Sequence, residues 1–288
     1  MTLIAAGLTR DSVAHAIDEL HANGLRPKTA HWLDEGAACD IPFVGDPRAA
    51  LSALAGSIDG CDIVAQPIKY RARRLLVADM DSTMITVECI DELADYAGLK
   101  PEVAAITTRA MAGELDFAAA LDARVALLGG MPVGTIDACR AERVHMMPGA
   151  RTLIATMRAR GVRTLLVSGG FTAFADPVAA ELGFDAAIAN RLEVRDGVLT
   201  GRVERPIVDA ARKAFALREV AAAAGLSMDE TLAVGDGAND LMMIEAAGLG
   251  VAYHAKPVLA DAADARIVHG DLTALLWAQG ISRSEWVV

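Results

Sequence analysis

The chain has 288 residues, of which 53% are hydrophobic and only 4% aromatic. That length is enough for about two domains, with cores of alanine- and leucine-rich helices packed on a sheet. A formal net charge of −11 argues against nonspecific binding to nucleic acid or to an anionic membrane.

Residues 1–70 read as a small unit of their own. TLIAAG has the pattern of a strand. TRDSVAHAIDELHANG places Val13, Ile17 and Leu20 on one helical face, with Gly24 as a stop. TAHWL, the turn Asp34-Glu35-Gly36 and AACDIPFV read as a hairpin, with Pro42 pushing its strand to an edge or a bulge. Asp46-Pro47 is a cap followed by a first-position proline, suited to start the helix RAALSALAGSI. CDIVAQP can close the sheet. The order βαββαβ is that of a ferredoxin-like α/β sandwich. The basic segment from Lys69 to Arg74 follows, as a linker or as a solvated entry to the next strand.

From Leu75 onward, in a second unit of residues 71–288, the pattern is α/β. Apolar runs at 75–79, 164–170, 231–237, 248–253 and 266–270 alternate with helical segments. Each run ends in, or is followed at once by, Asp, Ser, Gly or His, as when a buried parallel strand feeds a loop at its carboxyl end. Ligands of such doubly wound sheets bind beyond those ends. Residues from about 86 to 146 are helical in pattern and too long for a plain crossover, so they read as an inserted helical cap. ANRLEVRDGVLTGRV alternates around Asp196-Gly197, which signals a hairpin.

The chemistry concentrates at the strand ends. Asp79-Met80-Asp81-Ser82-Thr83 follows LLVA. Two carboxylates one residue apart can face one pocket in different roles, one attacking phosphorus and the other moving a proton. The bland alternative is a turn with capping side chains. Ser168-Gly169-Gly170 offers a hydroxyl and open backbone N–H groups to a phosphate oxygen, or is a plain loop. Lys213, on a helical segment, reads alone as a solvated charge. Gly235-Asp236-Gly237-Ala238-Asn239-Asp240 turns sharply and can face a hard cation. With Asp79, Asp236 and the Asp81 carbonyl as protein ligands, the incomplete oxygen cage suits Mg2+.

In this order, DMDST, SGG, the lysine and GDGAND closely resemble the haloacid dehalogenase superfamily over about 75–275. The resemblance implies an α/β, doubly wound parallel sheet with an inserted cap, and a two-step phosphoryl transfer. Asp79 would be the nucleophile and Asp81 the acid, then the base. Ser168, the Gly169 N–H and Lys213 would hold the phosphoryl oxygens. Asn239 would sit beside Ser168, and Asp240 behind the metal ligands.

DMDSTMITVECIDELA, MAGELDFAAALDARVALLGG and HMMPGA further resemble the phosphoserine phosphatase family. That resemblance implies that Glu88 takes the substrate ammonium group and Arg124 its carboxylate, while Met111 and Phe117 cover the pocket. Outside the matched motifs, all four would read as surface charges and core packing. The expected substrate is O-phospho-L-serine, as the last step of serine biosynthesis. The competing expectations are a phosphotransferase that passes the group to homoserine, a phosphatase for another small ester, and a non-catalytic amino-acid sensor. Retention of Asp79, Asp81, Lys213 and Asp236 together weighs against the sensor. A receiver domain of a signalling pathway would lack the cap insert and GDGAND. The N-terminal unit resembles ACT-like domains in topology only, which implies an amino-acid effector; dimerisation (a homodimer) or a spacer role is equally open.

Compartment follows from what is missing. No apolar run reaches the ~18 residues of a membrane span, and MTLIAAGLTRDS has no basic start or cleavage site, so no signal peptide is expected. The four cysteines, Cys39, Cys61, Cys89 and Cys139, are widely spaced without a CxxC, which fits a reducing cytoplasm.

Overall fold

A computed structural model describes residues 1–111 and 114–288, except for the side chain of Met111. The first unit comprises β1 (Thr2–Ile4), α1 (Arg10–Ala22), β2 (Arg26–Pro27), β3 (His31–Asp34), β4 (Ala38–Asp40), β5 (Phe43–Val44), α2 (Pro47–Ala53) and β6 (Asp62–Val64). Its sheet runs β3-β4-β1-β6, with every neighbour antiparallel. This is the ferredoxin-like arrangement read from the sequence. Pro42 follows β4 and has no N–H for a ladder, and the chain there leaves the sheet to form a separate ribbon of β5 with β2. The helix starts are as expected: the Asp46 carboxylate accepts from Arg48 N at 3.1 Å, with Pro47 at the first turn.

The unit has its own sheet but not a fully separate core. Leu3 and Cys39 face Val13, Leu20 and Ala50 on its helices. Ile4, Ala38 and Val64, on the opposite face, belong to the large core of the rest of the chain. Two polar clamps reinforce the contact. Arg71 donates to Asp40, to Thr2 Oγ1 at 2.9 Å, and to the carbonyls of Trp277 (3.0 Å) and Ala278 (2.9 Å). Arg73 is buried, donating to Gln66 and to the Asp229 carbonyl. Arg71 and Arg73 therefore act as a clasp, while Lys69 and Arg74 of the same segment stay exposed. Asp62, in turn, accepts from the backbone N–H groups of Val268 (2.8 Å), His269 (3.1 Å) and Gly270 (2.7 Å).

The main sheet is parallel. Its strands and helices follow as β7 (Leu75–Ala78), α3 (Cys89–Tyr96), α4 (Lys100–Met111), α5 (Phe117–Leu127), α6 (Gly134–Arg143), α7 (Ala150–Ala159), β8 (Arg163–Phe171) and α8 (Thr172–Leu182). Next come β9 (Ala186–Asn190), β10 (Leu192–Arg195), β11 (Val198–Val203), α9 (Ala210–Ala223), β12 (Thr231–Gly235) and α10 (Leu241–Ala246). The chain ends with β13 (Leu249–Tyr253), α11 (Pro257–Ala262), β14 (Ala265–Ile267) and α12 (Ala274–Ala278). The sheet order is β14-β13-β12-β7-β8-β9. Leu76 and Ala78 point to a layer with α7, α8 and α12, whereas Leu75 and Val77 point to one with α9, α10 and α11. Both faces are covered, which is why these strands are apolar throughout. The order reverses between β7 and β12, so their carboxyl ends flank the crevice where such sheets bind ligands.

The insert is helical, as expected: α3 to α6 form a cap over those strand ends. Its two stems zip together, with Thr86 N donating to His145 O (3.0 Å) and Met147 N to Met84 O (2.9 Å). The hairpin of β10 and β11 reaches out to the same cap. Gly130 N donates to Leu199 O, and Leu199 N to Met131 O, both at 2.8 Å. Its turn has Asp196 at φ 51° and Gly197 at φ 79°, the positive pair that a tight hairpin favours. At Gly201, φ +81°, a Cβ would lie 3.2 Å from Ala126 O, so the strand needs glycine to pass α5.

The Asp62 clamp is testable. Asp62→Ala leaves three backbone donors without their charged acceptor, and should lower unfolding free energy in urea by at least ~2 kcal/mol. Asp62→Asn should fall between this variant and wild type. A midpoint unchanged by Asp62→Ala would show that the clamp adds nothing to stability.

Candidate active site

Every expected residue at the carboxyl ends of the strands converges. Asp79 directly follows β7 and is 3% exposed. Its Oδ1 accepts from Lys213 Nζ at 2.6 Å, and the same ammonium donates to Asp240 Oδ1 at 2.7 Å. Lys213 is completely buried. The Asp209 carboxylate caps α9 by accepting from Arg212 N at 2.8 Å, which sets the helix that delivers the lysine. Asp240 Oδ2 accepts from the N–H groups of Asp236 and Gly237, both at 3.2 Å. A Cβ on Gly235 would lie 2.4 Å from that oxygen, so only glycine allows the loop to close on Asp240.

Asp79, Asp236 and Asp240 can each place an oxygen within 4.8 Å of the others. Asp240 is the least available of the three, because both of its oxygens already accept bonds from the protein. Its expected place behind the metal ligands fits this geometry. The cluster holds more negative than positive charge. Burial and then Asp240 push the Asp79 carboxyl well above the usual carboxylate range, against the opposing pull of Lys213. Burial and then Asp240 also raise Asp236, to about 6. Burial alone would lower Lys213, but Asp240 and Asp79 outweigh it and hold the ammonium charged. Such a surplus of buried carboxylate oxygen suits a small divalent cation.

Asp81 lies on the cavity wall. Withdrawal from water, followed by the charge of Glu88, raises its carboxyl to about 7, against a hydrogen bond from the Cys89 thiol. Its Oδ1 has no protein partner. A carboxyl with such a value carries a proton for part of the time at neutral pH, as a general acid needs.

The cavity is small, about 100 Å³, and is walled by core and cap together. Asp79, Asp81, Asp236, Ser168, Gly169 and Asn239 line it from the core. Glu88, Phe117 and Arg124 line it from the cap. Ser168 Oγ accepts from Gly170 N at 2.8 Å. The Phe117 ring covers Gly169, where a Cβ would stand 3.3 Å from Phe117 Cζ. Glu88 Oε1 accepts from the Ser82 hydroxyl at 2.7 Å. Arg124 Nε donates to Ala120 O at 3.2 Å, and among the described residues no carboxylate forms an ion pair with this guanidinium. Met111, expected to cover the pocket, lies outside the described side chains. Lys213 is not a wall residue. It faces the carboxylates from below, so its closest partner is Asp79.

Sequence reasoning missed Lys256 and Asn190. Lys256 lines the cavity, with Nζ 3.9 Å from Asp236 Oδ2. Its only local signal is its position just beyond the run 248–253. Asn190 is buried behind the Ser168 loop, and a polar residue ending the apolar run before the hairpin was the available hint.

Comparison with known proteins agrees with this geometry. The profile of the haloacid dehalogenase-like hydrolases matches residues 76–245, more than half of the chain. The chain belongs to this family. It is 48% identical over 244 residues to a phosphoserine phosphatase of Mycobacterium tuberculosis, covering 84% of this chain and 59% of that protein. This chain thus spans under two thirds of that relative's length. The fold superposes on a probable phosphoserine phosphatase from Vibrio cholerae with a TM-score of 0.79 at 34% identity, covering 99% of this chain and 87% of that one. A phosphoserine phosphatase solved as a phospho-aspartyl intermediate analogue matches at 40% identity and a TM-score of 0.67, covering 72% of this chain and 98% of the other.

The charge surplus has a direct consequence. Asp236→Asn removes one of the mutually repelling carboxylates, so in EDTA at neutral pH the variant should melt above wild type, by ~1–3 kcal/mol in stability. A lower melting temperature in EDTA would mean that Asp236 is already balanced by Lys256 and is not part of a repelling cluster.

Proposed function

We propose that the chain is a phosphoserine phosphatase that hydrolyses O-phospho-L-serine through an aspartyl-phosphate on Asp79. One observation carries the choice of substrate. The Arg124 guanidinium, free of any ion-paired carboxylate among the described residues, and the Glu88 carboxylate share one small cavity with Asp79. Phosphate, ammonium and carboxylate are the three charged groups of phosphoserine, and the cavity offers a complement to each. The fork of Arg124 suits a carboxylate, which it can hold through both oxygens. The relatives' names point the same way.

In the first step, an Asp79 oxygen attacks phosphorus and the bond from phosphorus to the serine oxygen breaks. Asp81 gives its proton to the departing oxygen, so that serine leaves as the neutral alcohol. In the second step, water attacks the aspartyl-phosphate while Asp81 takes its proton, releasing phosphate and restoring the Asp79 carboxylate. The Ser168 hydroxyl and the Gly169 N–H face the phosphoryl oxygens. Lys213 orients Asp79 for attack. Asp79, Asp236 and the Asp81 carbonyl would hold Mg2+, which when bound neutralises charge on the transferring phosphoryl group. Phe117 over Gly169 helps to exclude water from the first step.

The ferredoxin-like topology of residues 1–70 supports reading them as an ACT-like module docked on a phosphatase domain of residues 71–288. The described cysteines are all unpaired, and no helix among the described residues is long and apolar enough to cross a membrane. Both support placing the protein in the cytoplasm.

Phosphate release from phospho-L-serine, phosphothreonine, sugar phosphates and nucleotides, with and without EDTA, tests the activity; added homoserine reports transfer to an alcohol. Asp79→Asn should lower turnover by more than about a hundredfold with the fold retained, and a smaller loss would sink the covalent route. Arg124→Ala should reduce kcat/KM for phosphoserine at least about tenfold, because a charge-assisted bond is lost, and change hydrolysis of an aryl phosphate far less. Equal losses on both substrates would mean that Arg124 supports the cap or the phosphate and does not read the amino acid.

A further inference from the structure

Strand β8 does not pair with β9 in simple register. The pairing passes from Val167↔Ile188 to Phe171↔Asn190, so four steps along β8 meet two along β9. The residues squeezed out are Ser168, Gly169 and Gly170, the loop that faces the phosphoryl group. An irregularity of this kind takes peptide groups out of the ladder, and their hydrogen bonds must be made elsewhere.

Asn190 supplies one of them. Its side chain sits at the end of β9, 1% exposed, and does not line the cavity. Nδ2 donates to Gly169 O at 2.7 Å, and Oδ1 accepts from Val208 N at 2.7 Å. Only this orientation of the amide satisfies both partners; the flipped one would set acceptor against acceptor and donor against donor. The peptide joining Gly169 to Gly170 is therefore held at both ends. Asn190 fixes its carbonyl, and its N–H donates to Ser168 Oγ at 2.8 Å. A hydroxyl that accepts there has its own proton free for a different acceptor, and Ser168 lines the cavity. The second bond of Asn190 ties the loop to Val208, one residue before the Asp209 cap of the helix bearing Lys213.

We propose that Asn190 is a positioning residue for phosphoryl transfer: it locks the Gly169–Gly170 peptide, and through it aims the Ser168 hydroxyl at the phosphoryl group. The inference rests on the phosphate-ester reading above, and deepens it by naming what holds the phosphoryl-facing loop. The group acts on phosphate and not on the amino-acid part of the substrate. Its loss therefore affects every phosphate ester alike, unlike the loss of Arg124.

The test uses the full chain with Mg2+. Asn190→Ala removes both bonds, whereas Asn190→Asp keeps the size and the acceptor for Val208 but sets an oxygen against Gly169 O. Both should lower kcat about tenfold on phosphoserine and on an aryl phosphate, and weaken inhibition by inorganic phosphate by a similar factor. In a Ser168→Ala background the same substitutions should cost little more, because they act through that hydroxyl. A residue that merely stabilises the strand end would lower the melting temperature, leave kcat and phosphate inhibition of the folded enzyme unchanged, and add independently to Ser168→Ala; either result overturns the proposal. If Asn190→Ala does not fold, the isosteric Asn190→Asp carries the same cycle. Failure of wild type on phosphoserine alone would defeat the substrate assignment, and the cycle would still be read on the aryl ester.

Discussion

The site depends on one completely buried ammonium group shared by two carboxylates. Lys213 reaches Asp79 across 134 residues of sequence and Asp240 across 27. Removing three charges from water is costly, and only close geometry with the remaining lone pairs satisfied offsets it. Each supporting feature can be traced to that demand. Asp240 spends its second oxygen on the N–H groups of Asp236 and Gly237. Gly235 has no side chain because Asp240 occupies the space where a Cβ would be. Asp79 N donates to Val234 O at 3.0 Å, locking the ends of β7 and β12 together. The pair is weak as a source of stability but strong as a constraint, since any other loop conformation would leave an unpaired charge in the interior.

Strand order turns that constraint into a cavity. Because the strand order reverses between β7 and β12, two loops diverge there, while β8 contributes its bulged loop from the other side. The cap then closes the opening. Its stems hydrogen-bond to each other beside the Asp79 loop, and Phe117 and Arg124 share α5. One helix thus presents to the cavity both the ring that covers Gly169 and the Arg124 guanidinium. The hairpin of β10 and β11 braces that helix where Gly129 and Gly201 let the backbones approach.

What could be read from sequence has a physical boundary. The strands before Asp79, Ser168 and Asp236 were legible because burial on both faces makes them apolar, and a polar residue ending such a run stands out. The N-terminal helices were legible through Asp46-Pro47 and the spacing of Val13, Ile17 and Leu20. Lys213 was legible only through its motif company, since a lysine on a helix is usually solvated. Asp62 and Arg71 were not legible at all, and Asn190 was hinted at only as a polar residue ending an apolar run. Asp62 meets its partners 206 to 208 residues later, and no local pattern encodes such a distance. The bulge in β8 was hidden for a related reason, because register belongs to a pair of strands and not to either one.

The cap and the core are not separable by function. Glu88 stands at the start of the cap, yet it is the strongest charge acting on Asp81 in the core. The residue proposed to recognise the ammonium group therefore also helps to hold a proton on the group proposed to donate it. Cys89, next in the chain, is fully buried beside it. On the proposed mechanism, a cap that swung free would carry Glu88 and Arg124 away from the cavity and would open Asp81 to water, removing the burial and the charge that raise its carboxyl. On the proposed mechanism, specificity and proton transfer thus call for the same closed arrangement, and the stems that bridge at Ile85 and Met146 hold the cap beside the Asp79 loop.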